Sequence, residues 1–222
     1  MARTLELDPW NPRKDLVRQA ADELRKGRVL LVPTDTTWAL ICNAEDKSAA
    51  AKLTTLRERT AKARGDDRDI KNRPMALLCP NLSSVGKFTV MDQSQFRLVK
   101  RLLPGPYTIL LPVSREVPRT LRENRKVIGI RLSSWPLIEA ILEDFGEPVF
   151  TTTARAEDGS LLQSSADLSN DLRNTIDLII ESEPIVPMES TVIDASVEPP
   201  LVIREGIGPV EDHWERADLD AD

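Results

Sequence analysis

Apolar residues at helical spacing predict three amphipathic helices. The first covers about residues 14–26, the second ends before Pro104, and the third begins at Pro136 and ends before Gly146. Proline is common in the first turn of a helix and glycine just after the last, so both fit these ends. The positions that carry the pattern are Leu16, Val17, Ala20, Ala21 and Leu24, then Phe96, Val99 and Leu102, then Leu137, Ile138, Ile141, Leu142 and Phe145.

Short runs of apolar and β-branched residues predict strands between and after these helices. Such runs lie at residues 29–32, 107–112, 127–132, 149–152, 178–180, 191–193 and 201–203. Strands that alternate with helices are typical of a layered α/β fold. The last strands follow one another closely with no helix between them, so we predict a mixed sheet.

Composition and charge fit one globular domain with an acidic end. The chain has 222 residues, of which 30% are charged and 41% hydrophobic. Of the net charge of −6, −5 falls in the last twelve residues, which hold six acids and one arginine, so the preceding body carries only −1. We therefore predict a single domain over residues 1–210 and an acidic tail over 211–222. This balance argues against a protein that coats nucleic acid through bulk charge.

Several other classes are excluded by what the chain lacks. No apolar run approaches the ~18 residues of a membrane span, and the first residues lack the order of a signal peptide, so we expect a cytoplasmic protein without membrane contact. Cys42 and Cys79 are too few for a metal cluster. His213 is the only histidine, which argues against a Ser-His-Asp, Cys-His-Asn or multi-histidine metal mechanism.

Residues 57–73 break the pattern of strands and helices. This segment contains seven basic and four acidic residues, with little apolar content. We expect an exposed loop there. Such a charge run fits a solvated surface loop, and it also fits a mobile clamp or lid over an anionic ligand.

Hydroxyl and guanidinium groups follow several of the predicted strands. They lie in residues 34–37, 151–155, 189–191 and 204–206, and at Arg131. Ligands of open α/β sheets bind outside the carboxyl ends of strands, so these groups are candidates for an anion site. Each also has a structural interpretation, such as a helix cap at residues 34–37, a tight turn at 104–108 or an ion pair at Arg131. Neither a GxxxxGK[ST] loop nor a GxGxxG motif is present, so a bound nucleotide would be held by arginines, hydroxyls and amides.

An ordered set of short motifs makes the chain similar to a known family. These motifs are PTDTTWAL, LRER, KNRP, PGPYTILL, IGIRL, PVFTTTAR, ESTVID and LVIREG. In this order they resemble the YrdC/YciO family of threonylcarbamoyl-AMP synthases, from about Leu5 to Gly208. The resemblance implies an open, twisted mixed sheet with flanking helices and a concave, positively charged cleft. It also implies a nucleotidyltransferase that condenses ATP, L-threonine and bicarbonate, with Mg²⁺, into threonylcarbamoyl-AMP and pyrophosphate.

The resemblance also implies roles for individual residues. Arg57 and Arg59 match the family's Lys-x-Arg and are implied to be catalytic. The implied ATP-binding residues are Arg57, Arg59, Thr108, Thr153 and Arg204, and the implied threonine-binding residues are Thr36, Arg73, Arg131 and Ser190. No protein ligand to a metal is implied. The implied partners downstream are the proteins that make threonylcarbamoyladenosine in tRNA.

Three departures separate this chain from the synthase pattern and bring it closer to the YciO-like branch. Trp38-Ala39 stands where the family has Tyr-Gly, and Arg155 replaces the asparagine of Ser-Ala-Asn. Arg57 replaces a lysine, and about ten residues are inserted after Arg59, so an alternative alignment places the Lys-x-Arg role on Lys71 and Arg73. Two other functions therefore stay open beside the synthase. One is hydrolysis of ATP or of an acyl-adenylate, and the other is binding of tRNA or other double-stranded, structured RNA in the cleft.

Overall fold

The computed structural model describes residues 2–63, 76–117 and 126–217, and one mixed β-sheet runs through it. The strands of the described chain are β1 (Arg3–Glu6), β2 (Leu30–Pro33), β3 (Trp38–Asn43), β4 (Ala76–Leu78), β5 (Tyr107–Pro112), β6 (Val127–Arg131), β7 (Val149–Thr153), β8 (Leu178–Glu181), β9 (Thr191–Asp194), β10 (Leu201–Arg204) and β11 (Glu215–Arg216). Their order across the sheet is β1-β8-β2-β3-β7-β4-β6-β5-β9-β10-β11. Parallel pairs such as β5–β9 alternate with antiparallel pairs such as β5–β6. The sheet does not close on itself, so the predicted open, mixed α/β fold is confirmed.

Helices flank both faces of this sheet. In the described chain they are α1 (Lys14–Arg25), α2 (Lys47–Ala63), α3 (Leu82–Phe88), α4 (Gln93–Leu102), α5 (Pro136–Phe145) and α6 (Asn170–Thr175). The three predicted helices correspond to α1, α4 and α5. Gly146 ends α5 with φ of 91°, a left-handed conformation that glycine adopts without strain. None of the described helices is both long enough and apolar enough to cross a membrane.

Side chains alternate across the strands into two hydrophobic cores. The first core lies on the face packed by α2, α3 and α4, with Trp38 and Phe150 fully buried in it. The second core lies on the opposite face under α1 and α5. Its strand residues are Leu30, Val32, Ala39, Ile41, Leu78, Val149, Leu178 and Ile180.

The second core covers only part of its face. Among the described residues, no side chain of β5, β6, β9 or β10 belongs to it. We call this uncovered part, the second face of β5, β6, β9 and β10, the open half of the sheet. The strand register fixes which side chains lie there, because residues paired across strands share a face. Thr108 is paired with Val192, and Arg204 is also paired with Val192, so all three lie on the open half.

The prediction of an exposed loop over residues 57–73 is wrong in its first part. Residues 57–63 belong to α2, which begins at Lys47, and Leu53 and Leu56 bury this helix against the first core. Basic residues are good helix formers, so charge alone did not distinguish a loop from a helix with one buried face. The remainder of the segment, including Lys71 and Arg73, lies outside the described residues.

The predicted acidic tail begins with residues that contact the sheet. Glu215 and Arg216 form β11, which pairs in parallel with β10. Glu211 lies 3.1 Å from Arg101 of α4, and the Arg101 guanidinium lies 5.4 Å from the centre of the Trp214 ring. These contacts connect residues 211–217 to the body of the protein.

Candidate functional site

The turn between β2 and β3 is stabilised by Thr34. Its hydroxyl donates to the Thr37 carbonyl at 2.6 Å and accepts from the amides of Thr36 and Thr37 at 3.3 and 3.2 Å. Thr34, Thr36 and Thr37 are all buried. Because a strand follows this turn, the helix-cap interpretation of residues 34–37 is wrong. The turn places Asp35 and Thr36 at the centre of polar contacts with other segments.

Asp35 and Arg131 form a buried ion pair at the end of β6. Arg131 Nη2 lies 3.3 Å from Asp35 Oδ1, and the Ser133 hydroxyl donates to the same oxygen at 2.7 Å. The Arg131 side chain is only 11% exposed and the Asp35 side chain only 4%. Burial lowers the pKa of the Arg131 guanidinium, and the Asp35 carboxylate opposes that shift.

Within the part of the chain that the structure describes, two buried atoms of this ion pair lack a hydrogen-bond partner. They are Asp35 Oδ2 and Arg131 Nε. An unpaired polar atom in the interior is unfavourable, so such atoms are uncommon away from sites that take a water or a ligand. The pair is therefore a candidate ligand contact as well as a structural ion pair.

Three polar side chains meet on the open half of the sheet. The hydroxyls of Thr108 on β5 and Ser190, just before β9, lie 2.8 Å apart. Arg204 on β10 donates to the Ser190 carbonyl at 2.9 and 3.2 Å and to the Ser190 hydroxyl at 3.3 Å. Because Ile109 pairs with Ile130, Arg131 lies beside Thr108 on the same face. Four polar groups thus follow one another across β6, β5, β9 and β10: the guanidinium of Arg131, the hydroxyls of Thr108 and Ser190, and the guanidinium of Arg204.

Residues 182–190 connect β8 to β9 and pass beside the β2–β3 turn; we call this segment the strap. Its Ile185 amide donates to the Gln163 carbonyl at 3.3 Å, and its Met188 amide donates to the Thr36 carbonyl at 2.9 Å. Val186 and Met188 expose their side chains to solvent. The strap brings Thr36 and Ser190 into one connected network although they are far apart in the sequence.

The acidic residue of the strap, Glu189, contacts two arginines. Its Oε1 atom lies 2.5 Å from Arg155 Nη2 and 2.8 Å from Arg204 Nη1. Arg155 also donates to the Gly159 carbonyl at 3.0 Å and is buried. Arg155, which the sequence analysis identified as a departure from the family pattern, therefore ties the β7–β8 connection to the strap.

Arg57 lies at a separate depression on the first face of the sheet. This depression is lined by Leu40, Leu56, Arg57, Thr152, Thr153, Ala154, Arg155, Leu168, Leu172 and Ile176. Two arginines and two threonines thus line a wall that is otherwise apolar. Arg155 belongs to this depression and also contacts Glu189, so it connects the depression to the strap.

The structure brings together five of the nine predicted site residues. Thr36, Thr108, Arg131, Ser190 and Arg204 belong to the network of the turn, the strap and the open half. Arg57 lines the depression instead. Thr153 borders the depression as well, but its pairing with Ala39 of the second core places its side chain on the second face. Arg59 lies in α2, where its side chain is not described, and Arg73 lies outside the described residues.

Sequence reasoning did not select the residues that hold these arginines in place. Asp35, Ser133 and Glu189 complete the polar network, yet none of them was chosen as a site residue. Each lies within two residues of a chosen one, in TDT, RLS and ES. The available signal was physical, because a buried arginine requires a nearby acceptor.

Comparison with known proteins relates this sequence and fold to a described family. The sequence matches the Sua5/YciO/YrdC family profile, described as "telomere recombination", over residues 22–206. It is 35% identical over 213 residues to YciO of Escherichia coli K12, a protein described as uncharacterised. These residues are 95% of this chain and 98% of that protein. The crystal structure of E. coli YciO superimposes with a TM-score of 0.85 at 35% identity, over 95% of this chain and 98% of that one.

More distant relatives carry a named activity. The threonylcarbamoyl-AMP synthase of Pyrococcus abyssi is 26% identical over 201 residues, which are 88% of this chain and 55% of that protein. The crystal structure of P. abyssi Sua5 complexed with L-threonine matches with a TM-score of 0.74 at 22% identity, over 93% of this chain and 57% of that one. This last similarity is one of fold.

Proposed function

Because the chain belongs to the Sua5/YciO/YrdC family, we propose that it is a threonylcarbamoyl-AMP synthase, condensing ATP, L-threonine and bicarbonate into threonylcarbamoyl-AMP and pyrophosphate. The family includes threonylcarbamoyl-AMP synthases, among them the relative from P. abyssi. The product would be used by downstream proteins that modify adenosine in tRNA. The proposal extends the family's activity to a chain whose site differs at Arg57, Ala39 and Arg155.

The buried Arg131 beside an open, hydroxyl-lined face is the observation that carries this proposal. A guanidinium presents a planar pair of donors that matches a carboxylate, and Asp35 and Ser133 hold this one in place. Thr108 and Ser190 offer hydroxyls beside it. An amino acid whose carboxylate binds Arg131 would therefore have hydroxyl partners for its own polar side chain, as L-threonine requires.

The chemistry needs no histidine or cysteine nucleophile. The unprotonated amine of threonine adds to CO₂ derived from bicarbonate and gives a carbamate. A carbamate oxygen then attacks the α-phosphorus of ATP, and the bond to pyrophosphate breaks. Negative charge grows on the phosphoryl oxygens during this step, and guanidinium donors held in advance stabilise it without reorganising.

The proposed ATP contacts are the arginines and hydroxyls Arg57, Arg59, Thr108, Thr153 and Arg204. Arg73 is the remaining proposed threonine contact. Mg²⁺ would enter as the Mg–ATP complex, because it prefers phosphate oxygens and water. Within residues 2–63, 76–117 and 126–217, no group of three or more histidine, cysteine or acidic side chains could hold a metal ion.

The contact between Arg155 and Glu189 favours a second candidate reaction. Arg155 replaces the family's asparagine, and its pairing with Glu189 brings a carboxylate to the edge of the proposed ATP site. A site changed in this way fits hydrolysis of an acyl-adenylate, in which water rather than a carbamate attacks. Binding of structured RNA without turnover is the third interpretation, for which the cluster of arginines would supply phosphate contacts.

A synthase assay tests the proposal directly. Purified protein is incubated with ATP, L-threonine, bicarbonate and Mg²⁺, and pyrophosphate release and threonylcarbamoyl-AMP mass are followed. We expect product only when threonine is present, and a loss of at least tenfold in rate for Arg57→Ala, since this variant removes a guanidinium that is proposed to contact the ATP phosphates. Arg97→Ala, a change at an exposed arginine of α4, is the matched control and keeps the wild-type rate.

The alternatives give different results in the same experiment. Consumption of added threonylcarbamoyl-AMP to AMP, with no synthesis, supports the hydrolase. Binding of a structured RNA that weakens steeply with salt, with no turnover of either nucleotide, supports the RNA-binding interpretation. Either result would overturn the synthase proposal.

A further inference from the structure

Thr191 is a fully buried polar side chain that the proposed chemistry does not use. It is the first residue of β9 and pairs with Tyr107, whose side chain lies in the first core, so Thr191 faces away from the open half. The preceding residue, Ser190, faces the open half, because its hydroxyl lies 2.8 Å from that of Thr108. Thr191 therefore supports Ser190 from behind and does not itself reach a ligand on the open half.

The hydroxyl of Thr191 fastens residues 206–208, which we call the latch, to the start of β9. It donates to the Gly208 carbonyl at 2.6 Å and accepts from the Gly206 amide at 3.0 Å. A threonine hydroxyl has one hydrogen to donate and lone pairs to accept, so this bridge uses both capacities. One buried hydroxyl thus holds both ends of the latch.

The latch packs directly against the backbone of Glu189 and Ser190. The Ile207 amide donates to the Glu189 carbonyl at 2.9 Å. A Cβ atom on Gly206 would lie 2.2 Å from the Glu189 carbonyl oxygen and 2.5 Å from the Ser190 carbonyl carbon, so only glycine allows this close approach. The latch therefore forms a fixed wall behind Ser190.

The latch differs in kind from the side chains that contact the Ser190 hydroxyl. These side chains are Thr108 and Arg204, and both are also proposed ATP contacts. The latch is instead made of backbone groups and one buried hydroxyl, and it lies behind Ser190. It therefore holds Ser190 by contacts that no proposed ligand shares.

We propose that Thr191 is a positioning residue for threonine binding, because its hydroxyl holds the latch against Ser190 and so orients the Ser190 hydroxyl. The inference rests on the proposed function, in which Ser190 contacts L-threonine, and it names the residue that prepares this contact. A polar group that is already in place binds its ligand more tightly than one that must be ordered during binding. Loss of the Thr191 hydroxyl should therefore weaken threonine binding although Thr191 does not touch the ligand.

Binding of L-threonine to variants of Thr191 tests this inference by titration calorimetry. Thr191→Val keeps the shape of the side chain but removes the hydroxyl, and it weakens threonine binding about fivefold, the effect of one hydrogen bond of ordinary net strength. Thr191→Ser keeps the hydroxyl and restores most of the affinity. Thr89→Val is the matched control, since Thr89 is also buried and its hydroxyl donates to the Val85 carbonyl at 2.7 Å. This control leaves threonine affinity unchanged.

A double variant shows whether Thr191 acts through Ser190. Ser190→Ala removes the proposed threonine contact itself. If Thr191 only positions that contact, Ser190→Ala combined with Thr191→Val binds threonine no more weakly than Ser190→Ala alone. A further fivefold loss in the double variant would mean that Thr191 acts elsewhere and would overturn the inference. Gly206→Ala displaces the latch independently and gives a similar loss, which keeps the test available if circular dichroism shows that Thr191→Val does not fold.

The remaining outcomes separate this inference from the proposed function. Wild-type affinity in folded Thr191→Val and Gly206→Ala proteins, or no recovery in Thr191→Ser, would show that the latch only stabilises the fold and that the inference is wrong. If the wild type binds threonine but makes no product, the synthase is overturned, and the affinities of the variants still decide the inference. If the wild type binds no threonine, the proposed function is overturned and the inference falls with it.

Discussion

The second face of the sheet is covered in one half and open in the other. Under α1 and α5, the strand side chains are apolar, as at Leu30, Val149 and Ile180. On the open half, the same alternation presents Thr108 and Arg131, and a register shift between Val202 and Arg204 places Arg204 on the same face. What distinguishes the two halves is whether side chains of α1 and α5 pack against the strands.

This contrast shows how a sheet of one kind produces both a core and a candidate site. Where a helix excludes water, apolar side chains contribute to stability by being buried. On the open half, Thr108 and Arg204 stay partly solvated, and hydrogen bonds to Ser190 hold both side chains. Arg131 lies at the boundary, since it is charged yet as buried as the core.

Replacement of Arg131 by alanine should have the largest effect on stability. It tests the comparison directly, because the open half would otherwise be expected to contribute little to stability. Arg131→Ala leaves the buried Asp35 carboxylate without its counter-ion, and we expect a loss of about 3–5 kcal/mol in the free energy of unfolding. Urea denaturation measures this loss. The double variant with Asp35→Ala should recover part of it, because no uncompensated charge remains.

The exposed pair of Arg13 and Asp15 is the control for this variant. Its atoms lie 2.7 Å apart, closer than those of Arg131 and Asp35, but both side chains are more than half exposed. Arg13→Ala should therefore leave the free energy of unfolding nearly unchanged, because an exposed ion pair is screened by water. Equal, small losses for both variants would show that the Asp35–Arg131 pair is solvated and that burial does not distinguish it.

A substitution in the second core tests how much the covered half of the sheet contributes to stability. Ile141 of α5 is fully buried in the second core. Ile141→Ala should lower the free energy of unfolding by about 2–5 kcal/mol through lost burial and a residual cavity. Nucleotide and threonine affinities of the folded protein should not change. Glu143→Ala, at an exposed position of the same helix, should stay within about 0.5 kcal/mol of the wild type.

Ligand binding decides whether the two halves are independent. An Ile141→Ala protein that is folded but has lost threonine affinity would show that the covered core shapes the site. The comparison would then describe one cooperative unit and not a core beside a site.

Much of the fold was predictable because its signals are local. Helices α1, α4 and α5 carry apolar stripes and clear ends, and the strands from β5 to β10 are short apolar runs. The missed elements lack such signals. Strand β4 has only three residues, and β3 is buried on both faces, so Trp38 to Cys42 show no alternation. Helix α2 was missed entirely, and charge obscured the buried face of its basic end.

The candidate site was less predictable because it depends on contacts between distant segments. Thr36, Arg131 and Ser190 were chosen from motifs, and the structure connects them through Asp35 and the strap. The partners of the arginines are set by the path of the strap, which brings Glu189 to Arg155, 34 residues away in the sequence. No periodicity or spacing reports such a path. Hence the arginines were found and their counter-ions were not.

Thr108→Val should have the smallest effect on stability and the most selective effect on binding. Valine keeps the shape of threonine but loses the hydroxyl that bonds to Ser190 at 2.8 Å, so we expect a loss of about 0.5–1.5 kcal/mol in stability. If the Thr108 hydroxyl also contacts nucleotide, ATP affinity falls by a similar free energy, which titration calorimetry detects. Thr175→Val removes an exposed hydroxyl on α6 that bonds to the Asp171 carbonyl, and it should leave ATP affinity unchanged. A Thr108→Val protein with wild-type affinity for ATP would make this hydroxyl a structural feature of the open half and remove it from the site.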